Sequence, residues 1–402
     1  MKGVMMNVPE IRFKGFEGEW QTVFLKDVCQ INPHADLPEV FEYVDLESVV
    51  GTVMNSHRIE YKDTAPSRAQ RLAKYGDIFF QTVRPYQKNN YLFKLREENY
   101  VFSTGYAQLR TKYDSGYLFN IIQSPAFLKQ VLINCSGSNY PAINPSSLSK
   151  IEFSISEFIK EQNFLAFYFN MIDNFIKLSN AKILSLKQTK AACLQSMFPK
   201  EGETVPKVRF KGFEGEWEKR SLNDIFIERH EISTITESLP QLSFTIAEGI
   251  IRPEDRKSNK RDFLIKDKEN KKYLVTKKGD IIYNPANVVF GAIHQNSLCN
   301  GVVSPIYKIF ETNQDSCFME CIVRNPLFIT KLSMRTEGTV TKLKTLSPES
   351  FLKMNVMIAP SYAEQQKIGQ FFHSLDKKIS LETQSLEKLK HIKAACLDKM
   401  FV

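Results

Sequence analysis

Residues 8–20 read VPEIRFKGFEGEW and residues 205–217 read VPKVRFKGFEGEW, differing only at Glu10/Lys207 and Ile11/Val208. Local turn chemistry does not need so long a match, so the repeated unit must be larger than the block itself. The rest of the chain bears this out. KAACLQSMF at 190–198 returns as KAACLDKMF at 393–401, and EQNFLAFYFNMIDN at 161–174 faces EQQKIGQFFHSLDK at 364–377. KYGDIFF at 74–80 meets KKGDIIY at 277–283, after a short insertion in the second copy. The 402 residues therefore divide into two homologous halves. Each half has a matching frame around a middle that has diverged.

The frame reads as helix. Residues 161–198 contain neither proline nor glycine. Mostly apolar or small residues recur at alternating steps of four and three: Ile172, Ile176, Ser179, Ile183, Leu186, Lys190, Cys193 and Met197. The second half repeats the seam as Leu375, Ile379, Glu382, Leu386, Leu389, Lys393, Cys396 and Met400. That is the heptad spacing of a coiled coil, with polar residues at the same two seam positions in both copies. Pro199 closes the first helix by denying it a backbone donor. Each helix would be about 57 Å long at ~1.5 Å per residue. Matched seams favour packing of the helices on each other over separate burial.

The middles, roughly 21–155 and 218–360, hold short β-branched and aromatic runs such as GDIFFQTV and GDIIYN, broken by Gly, Pro, Asn and Ser. They read as α+β domains with a small sheet and long polar loops.

Composition limits the partners more than the fold. With 43% hydrophobic and 25% charged residues the chain is an ordinary globular protein, and a formal charge of +9 favours a polyanion. The N-terminal MKGVMMNVPE lacks the apolar core of a signal peptide, and no apolar run approaches the ~20 residues of a membrane span. The seven cysteines form no CxxC pair. Cys317 and Cys321 have no second pair or nearby histidine in the sequence to complete a zinc site. A cytoplasmic protein with reduced thiols is expected, with no metal.

An enzyme should show a constellation, and none is legible. There is no GxxxxGK[ST] loop, no HExxH and no GxSxG elbow. RPEDRK (252–257) faintly echoes an acidic nuclease centre but reads as a solvated charged turn. YNPANV (283–288) carries the Asn-Pro with which DNA amino-methyltransferases grip a base, but Ala286 and Asn287 stand where a proline and a stacking aromatic are required. No glycine-rich turn for a methyl donor accompanies it. Binding chemistry remains. Loops in both middles mix cations, amides, hydroxyls and aromatics, which suit phosphates and base edges. They are SRAQR (67–71), TVRPYQKNNY (82–91) and CSGSNYPAIN (135–144), then RKSNKR (256–261), YNPANVVFGAIHQ (283–295) and MRTEGTVTKLK (334–344).

Two divergent middles alternating with two matching helices, with KAACLQSMFP ending the first helix and VPKVRFKGFEGEW opening the next middle, closely resemble the specificity subunit of bacterial type I restriction–modification systems. The resemblance spans essentially the whole chain. It implies an α+β fold with two target recognition domains carrying small β-sheets, separated by two long helices that pair as an antiparallel coiled coil with pseudo-two-fold internal repeat. The expected domains are target recognition domain 1 at 1–157, a central helix at 158–199, target recognition domain 2 at 200–360 and a distal helix at 361–402.

The implied function is non-catalytic. Each recognition domain reads one half of a bipartite site in double-stranded DNA. Two adenine-N6 methyltransferase subunits dock on the frame, and motor–nuclease subunits join for restriction. The chain itself needs no cofactor, since partner subunits would bind the methyl donor and ATP. Family members commonly present loops before and after the GDI strand and before the frame helix. Here these hold Arg68, Arg71, Arg84, Gln87, Lys88, Asn89, Ser138, Asn139 and Tyr140 in the first half. In the second half they hold Lys260, Arg261, Asn284, Asn287, His294, Arg335, Thr339, Lys342 and Lys344. Two alternatives stand beside this reading: a self-sufficient DNA methyltransferase or nuclease, and a non-catalytic coiled-coil adaptor.

Overall fold

A computed structural model describes residues 7–137, 139–256, 271–336 and 345–402. The chain forms two compact units. Unit 1 comprises Met1–Ala181 with Gln384–Val402, and unit 2 is Lys182–Thr383. The boundaries cut through both long helices, Ile159–Ser196 and Tyr362–Lys399, so each unit holds the start of one and the end of the other.

The heptad seam predicts which helix faces are covered. Every seam residue named above is buried or half-buried. Inside unit 1 Tyr168 meets Cys396 and the carboxylate of Asp173 accepts from Lys393 Nζ. Inside unit 2 Lys182 pairs with Glu382, and Lys190 Nζ reaches Asp376 at 2.6 and 2.7 Å. In both units partner numbers fall as helix numbers rise, so the segments run antiparallel. The lysines that interrupt the seam are thereby explained. Lys190 and Lys393 are equivalent residues, and each finds an aspartate on the facing helix.

The repeated block joins each middle to the frame. Arg12 donates through Nε and Nη2 to Glu161 at 2.6 and 2.9 Å, and through Nη1 to the Gly18 carbonyl at 2.6 Å. In unit 2 Arg209 makes the same contacts with Glu364, at 2.7 Å twice, and with the Gly215 carbonyl at 2.6 Å. Both glutamates are buried in the first turn of a frame helix, where a carboxylate also suits the helix dipole. Trp20 packs edge-on against Phe401 and Trp217 against Phe198, the residues just past the ends of the two helices. The backbone of the block adds Ile11 N to Lys399 O in unit 1 and Val208 N to Ser196 O in unit 2.

Each middle builds the same small sheet. In unit 1 the order is Cys29–Ile31, Tyr106–Thr111, Ile78–Gln81, Tyr91–Leu92; in unit 2 it is Phe226–Glu228, Lys308–Thr312, Ile281–Tyr283, Ile293–Gln295. One face packs on a helix pair, Ser115–Gln123 with Pro125–Ile133 or Ser316–Val323 with Pro326–Ser333, and on the frame. A second sheet lies farther out in sequence space and differs between units. Unit 1 orders Arg58–Tyr61, Val40–Val44, Tyr100–Ser103 and Ala69–Leu72, whereas among the described residues unit 2 orders Ile232–Ser233, Tyr273–Thr276 and Gly301–Val303.

The repeated Gly-Asp-Ile is structural. Gly76 and Gly279 have φ of +90° and +100°, which a Cβ would strain, at a turn leading into the central strand. The following aspartate accepts a turn amide, Lys74 N at 2.8 Å or Lys277 N at 2.7 Å, and is buried. Its charge is met by an arginine from a different strand position in each unit. Arg110 bonds Asp77 at 2.8 Å twice, whereas Arg229 bonds Asp280 at 2.9 and 3.1 Å.

Candidate nucleic-acid interface

In unit 1 the strands Ala69–Leu72 and Ile78–Gln81 are flanked by the polar loops that the sequence singled out. Backbone bonds fasten these loops to one another. Thr104 N donates to Arg68 O at 2.8 Å, and Thr82 donates to Gly105 O through N at 2.9 Å and Oγ1 at 2.8 Å. Ile143 N then reaches Thr82 O at 3.0 Å, and Arg84 N reaches Pro141 O at 2.8 Å. Segments 67–71, 82–91 and 135–144, distant in sequence, therefore form one continuous surface.

Its centre is a tight turn. The 3-10 helix Pro85–Gln87 is bracketed by Arg84 and Lys88, both left-handed with φ of 54°. Among the described residues only Asn32 is another non-glycine with positive φ. Such residues each cost on the order of 1–3 kcal/mol and persist only where surroundings impose them. Here the surroundings are explicit. Gln81 Nε2 donates to Gln87 Oε1 at 2.9 Å, Asn89 N donates to Gln81 Oε1 at 3.2 Å, and Gln81 N donates to Asn90 Oδ1 at 2.8 Å. Lys88 Nζ donates to the Gln123 carbonyl at 2.9 Å, and burial pulls its pKa down. Asn89 Oδ1 accepts from Gly51 N at 2.7 Å. Gln87, Lys88 and Asn89 thus use polar groups to shape the loop.

The remaining candidates are more open. Arg84 stacks its guanidinium 4.5 Å from the ring centre of Tyr140, which is 63% exposed. Arg68 and Asn139 are exposed. Arg71 is half-buried on its strand, its Nε has no hydrogen-bond partner, and burial lowers its pKa. Ser138 lies outside the described residues.

Unit 2 repeats the turn. The 3-10 helix Val288–Phe290 follows the central strand and closes on Gly291, left-handed with φ of 85°. The segment is secured by Asn284 N to Ala292 O at 2.9 Å and Leu346 N to Pro285 O at 3.1 Å. Asn284 is half-buried and its Oδ1 accepts from Ala286 N at 3.0 Å, while Asn287 precedes the turn and gives its amide to Asn284 O. Arg335 is exposed beyond the helix Pro326–Ser333. Lys260, Arg261, Thr339, Lys342 and Lys344 lie outside the described residues.

His294 corrects an expectation. It is 3% exposed on strand Ile293–Gln295, with Nε2 2.8 Å from the Ile246 carbonyl and Nδ1 3.3 Å from Glu320 Oε1. The ring also packs against Phe244. A side chain closed off on both nitrogens is an interior strut of unit 2 rather than a surface group. Burial works against the charge of Glu320, yet His294 and Arg324 hold its pKa below the usual carboxylate value.

Sequence reasoning passed over two exposed aromatics on these turns, Tyr86 and Phe290. Each stood inside a quoted segment, beside Pro85 or before Gly291, and the proline and glycine were the available signals of a tight, solvent-facing turn. Among the described residues no group of three or more His, Cys, Asp or Glu could hold a metal ion, and no helix is long and apolar enough to cross a membrane.

Residues 214–391 match the family model of the type I restriction modification DNA specificity domain. The match spans the second middle and most of the distal helix, and the first half repeats the same frame block for block. Residues 214–391 belong to the type I restriction–modification DNA specificity domain family. Specificity subunits select DNA and are not themselves catalytic. The fold agrees along the whole chain. The S subunit of the type I system from M. genitalium is similar at 15% identity, with a TM-score of 0.64, over 98% of this chain and 99% of that one. A chain from the structure describing complex assembly and conformational transition of the type I R-M system is similar at 17% identity and TM-score 0.52, over 94% and 97%. No curated protein sequence matches.

Proposed function

We propose that this specificity subunit reads a bipartite site in double-stranded DNA, one half through each recognition domain, and directs adenine-N6 methylation or restriction by partner subunits. The observation that carries the reading is the joining of three separate polar loops of unit 1 into one surface holding Arg68, Arg84 and Tyr140. No hydrogen bond or ion pair to another described side chain engages the guanidinium of Arg68 or Arg84, so both are available to phosphates or guanine. The recognition domains are assigned to 1–157 and 200–360, and the helices to 158–199 and 361–402. Methyl donor and ATP are assigned to the partners, two methyltransferase subunits and the motor–nuclease subunits.

The frame supplies a place for a protein partner. On the first helix Phe164, Phe167, Met171, Phe175 and Leu178 are all exposed and, spaced by threes and fours, share one face. Contiguous apolar surface of this kind marks an interaction site. A methyltransferase subunit docked there would cover it.

The test is to express the chain with a cognate methyltransferase subunit and map methylated adenines across a genome. A single bipartite motif supports the reading. Methylation by the purified chain alone with labelled methyl donor would replace it with the enzyme alternative, and a partner-bound complex without sequence preference would favour the adaptor.

A further inference from the structure

After its central strand each unit places a 3-10 turn, closes it with a left-handed residue, and leaves one large ring in solvent. Tyr86 is 49% exposed on Pro85–Gln87 and Phe290 is 63% exposed on Val288–Phe290. The two turns are equivalent in the repeat, although their sequences, PYQ and VVF, share nothing. The rings stand one position apart along the turn. Both turns abut the same element, the helix Pro125–Ile133 or Pro326–Ser333. Both turns are held by hydrogen bonds. In unit 1 the turn is held by Gln81, Asn90, the Gln123 carbonyl and the Pro141 carbonyl, as described. In unit 2 Gly291 N returns to Val288 O and Phe290 N to Asn287 O.

An exposed ring on an anchored turn gains nothing from water, and in unit 1 the turn also carries two strained left-handed non-glycine residues, Arg84 and Lys88. A mobile loop would let the ring fold back; these turns hold it out. Around Tyr86 the surroundings favour a polyanion: Arg84 lies two residues away, Arg68 belongs to the same joined surface, and the chain carries a formal charge of +9. The chemistry that combines flat apolar faces with negative charge is stacked nucleic acid. Side chains of this kind enter partly opened base steps, and the contact offsets part of the unstacking cost.

We propose that Tyr86 and Phe290 are the stacking wedges of the two recognition units, each inserted at a base step of its own half-site. The inference rests on the DNA-reading function proposed above. It adds a mode of selection that hydrogen-bonding side chains do not provide. Pyrimidine–purine steps unstack most readily, so each half-site should contain such a step at the wedge even where no polar side chain reads it. It also accounts for how the sequence of the turn has diverged while its shape and exposed ring have not.

The experiment uses the chain reconstituted with its methyltransferase partner and the motif obtained from methylome mapping. 2-Aminopurine is placed in turn at each step of one half-site, and its fluorescence is read on binding. The expected result is a fluorescence rise at one step per half-site other than the methylated adenine, which the methyltransferase itself extrudes. Tyr86→Ala should abolish the rise in one half-site only and Phe290→Ala in the other only. Each should weaken binding about tenfold, the scale of one lost base–aromatic stack. Tyr86→Phe and Phe290→Tyr should preserve both signals, which separates stacking from hydrogen bonding. Since both rings are exposed, thermal unfolding of the alanine variants should match the parent. The proposal is overturned if selective binding occurs with no unstacked step, or if the alanine variants bind within about twofold of the parent. If the complex shows no sequence selectivity at all, the underlying DNA-reading function fails instead.

Discussion

Truncating Arg209 to alanine while leaving Glu364 in place tests how the repeated block holds a recognition unit to the frame. Glu364 is wholly buried, and both its carboxylate oxygens accept from Arg209 at 2.7 Å. The same guanidinium donates to the carbonyls of Gly215 at 2.6 Å and Glu214 at 2.9 Å, so one group fixes both the helix start and the curl of the block. Its pairing with Glu364 raises the Arg209 pKa further above its ordinary value, so the guanidinium stays charged throughout the working range. Arg209→Ala would strand a carboxylate in the interior, a change that costs about 3–5 kcal/mol. For a unit of roughly 200 residues, that corresponds to a fall in melting temperature of roughly 6–20 °C. Calorimetry of the full chain measures the loss, and hydrogen–deuterium exchange should localise it to Lys182–Thr383. Arg12→Ala is the internal control and should loosen the other unit through Glu161. The double change Arg209→Met with Glu364→Leu should recover much of the loss, because an apolar pair of similar volume leaves no buried charge. A loss below about 1 kcal/mol for the single variant, or a double variant less stable than the single, would refute the reasoning.

Exchanging residues 21–157 for the corresponding middle of another specificity subunit, with both helices kept, should change one half of the methylated motif only; methylome mapping decides it, and simultaneous change of both halves counts against one domain per half-site. Inserting one heptad into both helices should lengthen the unread spacer by about 10 Å, or roughly three base pairs at ~3.4 Å each, leaving both half-sites unaltered. A chain permuted by linking Val402 to Val8 should fold and support methylation, because Ile11 N already bonds Lys399 O within unit 1 at 2.9 Å. For acid stability, the depressed pKa of Glu320 means its contribution is present above the ordinary carboxylate value and lost as pH falls through the lower folded value. Glu320→Gln should therefore flatten the stability profile in that acid window when followed by denaturant titration, and an unchanged slope would show that the carboxylate is not stabilised by His294 and Arg324.

The candidate surface was half legible. The loops were found because polar and turn-forming residues cluster between apolar runs, and that clustering survives in one dimension. The roles within the loops were not. Lys88 and Asn89 look like readers in sequence, yet their polar groups hold Gln123 O and Gly51 N, partners far along the chain. His294 alternates with apolar neighbours on a strand, and only the packing of Ile246 and Glu320 against it shows that it is interior. Tyr86 and Phe290 do not show as a pair in sequence because the two turns, PYQ and VVF, share no residue and the rings stand one position apart along them.

By itself the sequence determined the doubling, the frame and the faces. Heptad spacing dictates which side of each long helix is covered, since a period of 3.5 can present only one seam, and every seam residue is buried or half-buried. The Gly-Asp of the GDI turn is likewise local: glycine supplies the positive φ, and aspartate caps the turn amide. Tertiary structure alone decided how that aspartate is neutralised. Asp77 and Asp280 are equivalent, but the first is met by Arg110 on one neighbouring strand and the second by Arg229, just beyond the next strand over. At the position equivalent to Arg110, unit 2 carries Glu311, which Arg229 also binds at 2.7 Å. A buried carboxylate requires a cation but does not specify its address, because charge compensation depends on distance in space. The repeat fixes the need, and the sheet decides which residue meets it.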